Sequence, residues 1–333
     1  MSAASGDAAV LTGDFVEITA ADAAGGIIEA ARARARAARP SLARRLPRAL
    51  RPYLYLLPAL GCVGFWVYRP LVAAVRLSFY KWDLLPADPQ TWVGVGNYTQ
   101  LLRSGQLGSS LWLTVVFVAG MVPFTIAIPT AVGLLTRGTR GRLAAVYRAA
   151  VFAPLLVPPV AGAVVWEWML DPVHGVVDRA TGSSINWLLS PGPAQVTIIV
   201  ITGWHVLGFA VLIVRAGLAN ISDDYTDAAA LDGASRGQVT RWVVLPLLSP
   251  TLAFLGLITV LLSAQWSFPV IDTLTQGGPS GATTNIYYFL WETAFQDFDA
   301  GSSSAAGVLF FLAFAAVALL LVRIADRFSF HDN

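Results

Sequence analysis

Six apolar segments, each close to the length that crosses a bilayer, constrain this chain more than any other feature. They lie at about residues 53–79, 111–135, 149–170, 196–218, 249–270 and 305–324. A helix needs about 20 apolar residues to cover the hydrocarbon core of a membrane. The composition agrees, with 56% hydrophobic and only 13% charged residues. The sequence therefore predicts an all-α, polytopic membrane protein with about six transmembrane helices.

The distribution of charge between these segments predicts how the chain is oriented. Eight arginines lie between Arg32 and Arg51, and the second loop carries Arg137, Arg140, Arg142 and Arg148. The fifth loop instead carries Asp272, Glu292, Asp297 and Asp299. Because basic loops stay in the cytoplasm, both termini and the loop at about 222–246 are predicted to be cytoplasmic. Residues 1–48 show no apolar period and predict a disordered basic tail ahead of a membrane domain at 49–330.

Residue types that carry enzymatic or metal chemistry are scarce. A Walker A loop ends in Gly-Lys-Ser/Thr, and the only lysine, Lys81, stands between Tyr80 and Trp82. Cys62 is the only cysteine, and the three histidines are widely separated along the chain. We therefore predict that the chain is not an enzyme, holds no cofactor or metal, and takes its energy from a partner.

A polar, helix-forming island interrupts the apolar segments at residues 227–246, DAAALDGASRGQVTRWVVLP. Residues 223–226 offer caps and first-turn acids to a helix that begins near Tyr225. Gly233 can adopt a left-handed conformation without strain, so one helix can end there and a second can start through Ala234 and Ser235. The sequence predicts a helical hairpin, which is either an ordinary surface hairpin between two spans or a docking element for another protein.

This island resembles the "EAA" loop of the membrane permease subunits of bacterial ABC importers. The resemblance rests on three separated elements: Asp227, Ala228, Ala229, then Asp232, Gly233, Ala234, then Leu245, Pro246. It implies that these residues form coupling helices in a cleft of the ATP-binding subunit. Two departures from the family are Asp227 in place of the leading Glu, and Thr240 and Arg241 in place of the usual aromatic.

Two further stretches are similar to the maltose- and glycerol-phosphate-type permeases of that family. The first comprises Leu57-Pro58, Tyr68-Arg69-Pro70, Ser78-Phe79-Tyr80 and residues 93–98, and the second comprises Gly277-Gly278-Pro279, residues 282–284 and Tyr287-Tyr288. The resemblance implies carbohydrate import through a bacterial inner membrane. It also implies a second permease subunit, ATPase subunits that hold ATP and Mg, and an extracytoplasmic solute-binding protein, with no role for nucleic acid.

Aromatic and hydrogen-bonding residues within the spans are candidates for the substrate pathway. We select Glu167, Trp204, His205, Gln265 and Trp266, because aromatic faces stack on sugar rings and amide or carboxylate groups pair with hydroxyls. An ionisable group such as Glu167 is costly in the hydrocarbon and usually faces a cavity or partner. Prolines in the second and third spans suggest that these spans line a cavity or are simply kinked.

Alternatives remain for the substrate and for the mode of transport. A phosphorylated ligand would favour Arg or Lys in the pathway, and the central parts of spans two to six contain neither. This absence favours a neutral sugar or oligosaccharide. Residues 268–272 ahead of Gly277 nevertheless resemble glycerol-3-phosphate permeases, so glycerol-3-phosphate or glycerophosphodiesters are an alternative. A passive channel or assembly scaffold that does not couple to ATP is a hypothesis of another class.

Overall fold

A computed structural model describes residues 51–85, 88–137, 141–182 and 185–328, which fall into two compact units that divide between Arg69 and Pro70. The helices are α1 Arg51–Val63, α2 Arg69–Leu77, α3 Gly96–Ser104, α4 Gln106–Val122, α5 Ile128–Leu135, α6 Arg142–Leu156, α7 Pro159–Met169, α8 Val176–Thr181, α9 Pro191–Ala219, α10 Asp223–Leu231, α11 Arg236–Val239, α12 Leu245–Leu274, α13 Ile286–Trp291 and α14 Ala300–Phe328. Short π-helical turns at Gly64–Tyr68, Pro123–Ala127, Thr240–Val244 and Glu292–Gln296 continue these helices. Strands β1 Tyr80–Lys81 and β2 Thr91–Trp92 form an antiparallel pair.

Within the described ranges, five helices are long and apolar enough to cross a membrane. They cover Tyr55–Leu77, Gln106–Leu135, Pro191–Ala219, Arg236–Leu274 and Ala300–Arg323. These correspond to the first, second, fourth, fifth and sixth predicted spans, so the prediction of a polytopic all-α membrane protein is confirmed. The tail predicted for residues 1–48, and its boundary with the membrane domain, lie outside the described residues.

The third predicted span, residues 149–170, is present but is not one straight helix. The chain instead forms two helices, Ala145–Leu156 and Pro159–Met169, which are bent by 98°. Pro158 and Pro159 explain the break, because a residue before proline is pushed out of the helical region. Val157 and Pro158 accordingly have extended ψ angles of 128° and 133°. The prolines thus convert one span into a bent pair.

Helix α9 lies at the centre of the second unit and is the most buried candidate span, with half of its apolar window covered. It packs against α5, α6 and α12. Small residues allow α9 and α6 to approach closely. Gly208 of α9 has no Cβ, and a Cβ there would lie 2.7 Å from the Val151 carbonyl oxygen of α6. Helices that meet through small residues gain van der Waals contact in a membrane, where apolar burial drives association weakly.

A layer of loops and short helices covers the end of the bundle where α12 stops and α4 begins. The buried Asn97 side chain donates to the carbonyl oxygens of Ser78 and Tyr80, both at 2.9 Å. Gln195 at the start of α9 donates to the Ala282 carbonyl at 2.9 Å. These bonds fix segments that are distant in sequence, so this end of the second unit is an ordered surface.

Asn285 holds this layer onto the spans, and its removal should destabilise the protein. Its Oδ1 caps α13 by accepting from the Tyr288 N–H at 3.0 Å, and its Nδ2 donates to the Ala264 carbonyl and Ser267 Oγ. Asn285→Ala removes the cap and leaves buried acceptors unpaired, which should cost about 2–4 kcal/mol of unfolding free energy. Thermal unfolding in detergent measures this loss. The exposed Asn220→Ala variant is the control, and equal midpoints for the two variants would contradict the assignment.

Candidate coupling hairpin and translocation site

The predicted hairpin forms as two helices at residues 223–239, starting slightly earlier than expected. Helix α10 begins at Asp223, not near Tyr225, because Ser222 is the N-cap and its Oγ accepts from the Asp224 N–H at 3.3 Å. Asp223 and Asp224 lie in the first turn. Their charges are favourable there because a helix N-terminus carries partial positive charge.

Gly233 ends α10 in the left-handed conformation that the sequence predicted, with φ +83°. The Gly233 N–H donates to the Ala230 carbonyl at 3.0 Å, and the Ala234 N–H donates to the Ala229 carbonyl at 3.0 Å. This pair of bonds is the Schellman motif, which satisfies the last carbonyls of a helix. A Cβ at Gly233 would meet no atom within 4 Å, so the backbone angle alone requires glycine here.

The second arm of the hairpin is capped and runs without interruption into the membrane. A capping box joins Ser235 and Gln238: the Ser235 N–H donates to Gln238 Oε1 at 2.7 Å, and the Gln238 N–H donates to Ser235 Oγ at 3.4 Å. Helix α11 then passes through the π turn into α12, which begins with Leu245 and Pro246. The hairpin is therefore continuous with a helix of the bundle.

The hairpin presents apolar side chains to the outside. Leu231 is 90% exposed and Trp242 is 71% exposed. Asp227, Ala228, Asp232 and Gly233 are exposed beside them, while Ala229 and Ala234 are half-buried between the two arms. This part of the chain therefore offers two large apolar side chains to a partner.

Three of the five candidate pathway residues come together among α7, α9 and α12. Trp204, His205 and Trp266 line one small cavity of about 10 Å³ together with Thr202 and Pro159. Thr202 is 1% exposed, and its Oγ1 has no hydrogen-bond partner in the part of the chain that the structure describes. A cavity of this size holds about one water molecule. The arrangement places a free hydroxyl beside three aromatic rings.

The other two candidates lie outside this cavity. Glu167 in α7 and Gln265 in α12 are exposed, so neither side chain faces the interior of the bundle. Helix α7 of the bent pair contributes Pro159 and Gly162 to the cavity, whereas the second span contributes none of the lining residues. Of the two proline-containing spans, only the third segment lines this small cavity.

A larger polar cavity of about 630 Å³ opens at the end of the bundle opposite the hairpin. Its lining includes Gln106, Ser109, Thr284, Glu292 and Asp297. The described residues that line it include no Arg or Lys. We refer to it as the mouth cavity; its hydroxyl, amide and carboxylate groups suit a polyhydroxylated ligand and repel an anionic one.

Burial raises the pKa of Glu292 above its ordinary value of 4.5, and the Asp297 carboxylate raises it further. The folded protein therefore binds this proton more tightly than the unfolded chain. The resulting stabilisation is present below pH 4.5 and is lost as the pH rises through the folded-state pKa. Glu292→Gln, which mimics the protonated group, should raise the unfolding midpoint at neutral pH and leave it unchanged below pH 4.5. Thermal unfolding at both pH values tests this, and an equal shift at both would contradict it.

Comparison with known proteins identifies the family. The family described as "Binding-protein-dependent transport system inner membrane component" matches residues 124–330, more than half of the chain. The chain belongs to this family. It is thus a membrane-spanning permease subunit of an ABC importer, which confirms the resemblance drawn from the EAA-like loop.

The names of similar permeases refer to two kinds of substrate. The sn-glycerol-3-phosphate transport system permease protein UgpA of Yersinia pseudotuberculosis is 30% identical over 285 residues, covering 83% of this chain and 94% of the relative. The trehalose/maltose transport system permease protein MalF of Thermococcus litoralis is also 30% identical, covering 82% and 92%. A solved bacterial ABC transporter for the acidic polysaccharide alginate shares the fold, with 21% identity, a TM-score of 0.72 and coverage of 83% and 94%.

Several features of the permease were missed in the sequence. Nothing in the sequence marked Thr202 as a cavity residue, because the hydroxyl of an isolated threonine in an apolar span usually donates to a carbonyl of its own helix. Leu231 looked like one more residue of the helix rather than an exposed contact. Arg215, near the end of α9, did carry a signal, since an ionisable residue in a span is a functional candidate. The described residues bring no three His, Cys, Asp or Glu side chains together as metal ligands.

Proposed function

We propose that this permease imports a neutral sugar or oligosaccharide that an extracytoplasmic binding protein delivers. The mouth cavity carries the proposal, because its described lining has two carboxylates and no cation. A phosphate group would meet repulsion there, whereas sugar hydroxyl groups can donate to Glu292 and Asp297 and accept from the side-chain amide of Gln106. The cavity beside Trp204 and Trp266 holds only about one water molecule in this structure, so in this proposal the two rings meet the apolar faces of a sugar when the bundle opens.

The energy for transport comes from partner subunits in this proposal. Two ATPase subunits bind ATP and Mg, and each hairpin, on this chain and on a second permease subunit, docks on one of them. Leu231 and Trp242 provide the apolar contact, and the capped arms keep the hairpin rigid. Closure of the ATPase subunits moves the hairpin, and α12 carries that movement into the bundle. Both termini and the hairpin are cytoplasmic, and the mouth cavity faces the binding protein.

The test is the ATPase activity of the reconstituted complex with its binding protein, against maltose, trehalose, other neutral sugars, glycerol-3-phosphate and glycerophosphodiesters. We expect a neutral sugar to stimulate hydrolysis. Glycerol-3-phosphate is the second candidate, and its support is the 30% identity to UgpA of Yersinia pseudotuberculosis. Stimulation by phosphorylated compounds alone would keep the importer and overturn the choice of a neutral ligand.

A passive channel or a scaffold is distinguished from an importer by co-purification. The tagged permease should bring ATPase subunits with it at a fixed stoichiometry, and the yield should fall when the hairpin surface is altered. A channel would purify without them. Recovery of the permease alone from gently solubilised membranes, with the hairpin intact, would favour the channel.

Trp266→Ala tests the pathway within the bundle. Trp266 lines the small cavity and meets Phe209 edge to face, with ring centroids 6.2 Å apart. Loss of an aromatic contact to the sugar should raise the ligand concentration for half-maximal ATPase stimulation about tenfold. Trp112→Ala, which removes an exposed tryptophan of α4, is the matched control. Equal responses in the two variants would remove Trp266 from the pathway.

A further inference from the structure

A second polar cavity, of about 260 Å³, lies at the hairpin end of the bundle where α5, α9 and the start of α10 meet. Its lining includes Thr136, Arg137, Arg215, Leu218, Ile221 and Asp223. We propose that it binds the phosphate headgroup of an anionic phospholipid. It is separate from the mouth cavity and from the small cavity around Trp266, and no step of the transport proposal uses it.

The charges in this cavity favour an anion. Two guanidinium groups face one carboxylate, so the described lining carries a net charge of +1. Arg137 Nη2 lies 3.4 Å from Asp223 Oδ1. The Nη1 atom of Arg215 is buried and has no hydrogen-bond partner among the residues described. A buried donor without a partner is costly, and an oxyanion in the cavity would satisfy it.

The guanidinium groups select phosphate among anions. A guanidinium presents paired N–H donors that match two oxygens of a phosphate in a bidentate contact. Arg215 stands about one turn before the end of α9, where the partial negative charge of the helix C-terminus favours a cation. The Thr136 hydroxyl at the end of α5 donates to the Val132 carbonyl at 2.6 Å, so the two guanidinium groups supply the donors. The cavity therefore combines a fixed charge with directed donors.

The position of the cavity identifies a lipid as the source of the phosphate. Arg137 and Arg215 lie at the ends of two candidate spans, Gln106–Leu135 and Pro191–Ala219. Leu218 and Ile221 line one side, and Leu135 beside them is 82% exposed. Basic pockets between spans on the cytoplasmic side are suited to anionic headgroups. The apolar wall and the exposed Leu135 offer acyl chains a surface beside the headgroup.

Occupation of the cavity would act on the hairpin through Asp223. This residue is the first of α10, and its partner Arg137 belongs to the segment after α5. A phosphate bound to Arg137 competes with Asp223 for the same guanidinium. The lipid would thereby weaken one of the contacts between the hairpin and the bundle.

The test uses the assembled transporter, purified in detergent and exchanged into vesicles of phosphatidylcholine with a small fraction of phosphatidylglycerol. Native mass spectrometry then counts the phosphatidylglycerol that stays bound. We expect Arg215→Gln and Arg137→Gln each to lower retention about tenfold. Arg103→Gln, at an exposed arginine of α3 at the other end of the bundle, should retain the lipid. Arg215→Lys, which keeps the charge, should retain an intermediate amount.

Three results would overturn the proposal. Equal lipid counts in the wild type, Arg215→Gln and Arg137→Gln would show that the cavity holds no headgroup. Protection of the wild type by inorganic phosphate in thermal unfolding, without a difference in lipid count, would assign the site to a soluble anion. Weakened association of the ATPase subunits at unchanged lipid count would assign it to an acidic segment of a partner. Arg137→Gln keeps the test valid if Arg215→Gln does not assemble.

Discussion

Gly233→Val should uncouple ATP hydrolysis from transport in the reconstituted importer. Gly233 has φ +83°, and a β-branched residue resists that angle. The strain of about 1–3 kcal/mol would lower the population of the correctly turned hairpin by about 5- to 150-fold. Because a Cβ at this position would meet no atom within 4 Å, the effect would come from the backbone and not from a clash. The amount of substrate transported per ATP hydrolysed measures it.

Two further variants separate the turn from general damage to the hairpin. Gly237→Val places the same side chain four residues later, in α11, where a Cβ also meets open space and the backbone is helical. The Gly237→Val variant should still couple ATP hydrolysis to transport. Gly233→Asn should recover much of the coupling, since asparagine tolerates the left-handed region. Normal substrate-stimulated ATPase activity in Gly233→Val, with the complex intact, would contradict the role of the hairpin as a lever.

Leu231→Asp should abolish capture of the ATPase subunits by the permease. Leu231 is 90% exposed on the hairpin, so the substitution removes little packing within the chain. A charged group at the centre of an apolar contact loses its hydration and leaves the partner surface unpaired, which should cost about 2 kcal/mol or more of binding free energy. Quantitative co-purification of the ATPase subunits measures the loss.

Leu189→Asp is the matched control for this experiment. Leu189 is 73% exposed and lies just before α9, at the end of that helix opposite the hairpin. The substitution likewise replaces an exposed leucine with a carboxylate. It should leave capture of the ATPase subunits unchanged. Equal losses in the two variants would show that Leu231 is not part of the docking surface.

The parts of this fold that the sequence predicted are those set by local signals. The turn at Gly233 follows from one conformational requirement, and the second arm starts through Ala234 and Ser235 as predicted, although the capping box with Gln238 was not foreseen. The long spans follow from their apolar length. Pro158 and Pro159 marked a break, but the 98° bend also depends on α6 packing against α9, which no local pattern shows.

The cavities could not be predicted because they join residues that are distant in sequence. The contact between Arg137 and Asp223 spans 86 positions. The mouth cavity joins Gln106 to Asp297, and no spacing rule relates those segments. Among the pathway candidates, chemistry selected five residues, but only the packing of α7, α9 and α12 shows that Trp204, His205 and Trp266 share a cavity. The roles of the five remain predictions.

Disulfide cross-linking from the hairpin tests the central claim most directly. Cys62 is the only cysteine, so Cys62→Ser gives a background without native thiols in this chain. Leu231→Cys is then introduced, and cysteines are placed one at a time along the cleft of the ATPase subunit. The account predicts a cross-link between the two subunits from Leu231→Cys and none from Leu189→Cys. An assembled complex that hydrolyses ATP in response to substrate, yet yields no cross-link from Leu231→Cys at any cleft position, would contradict it.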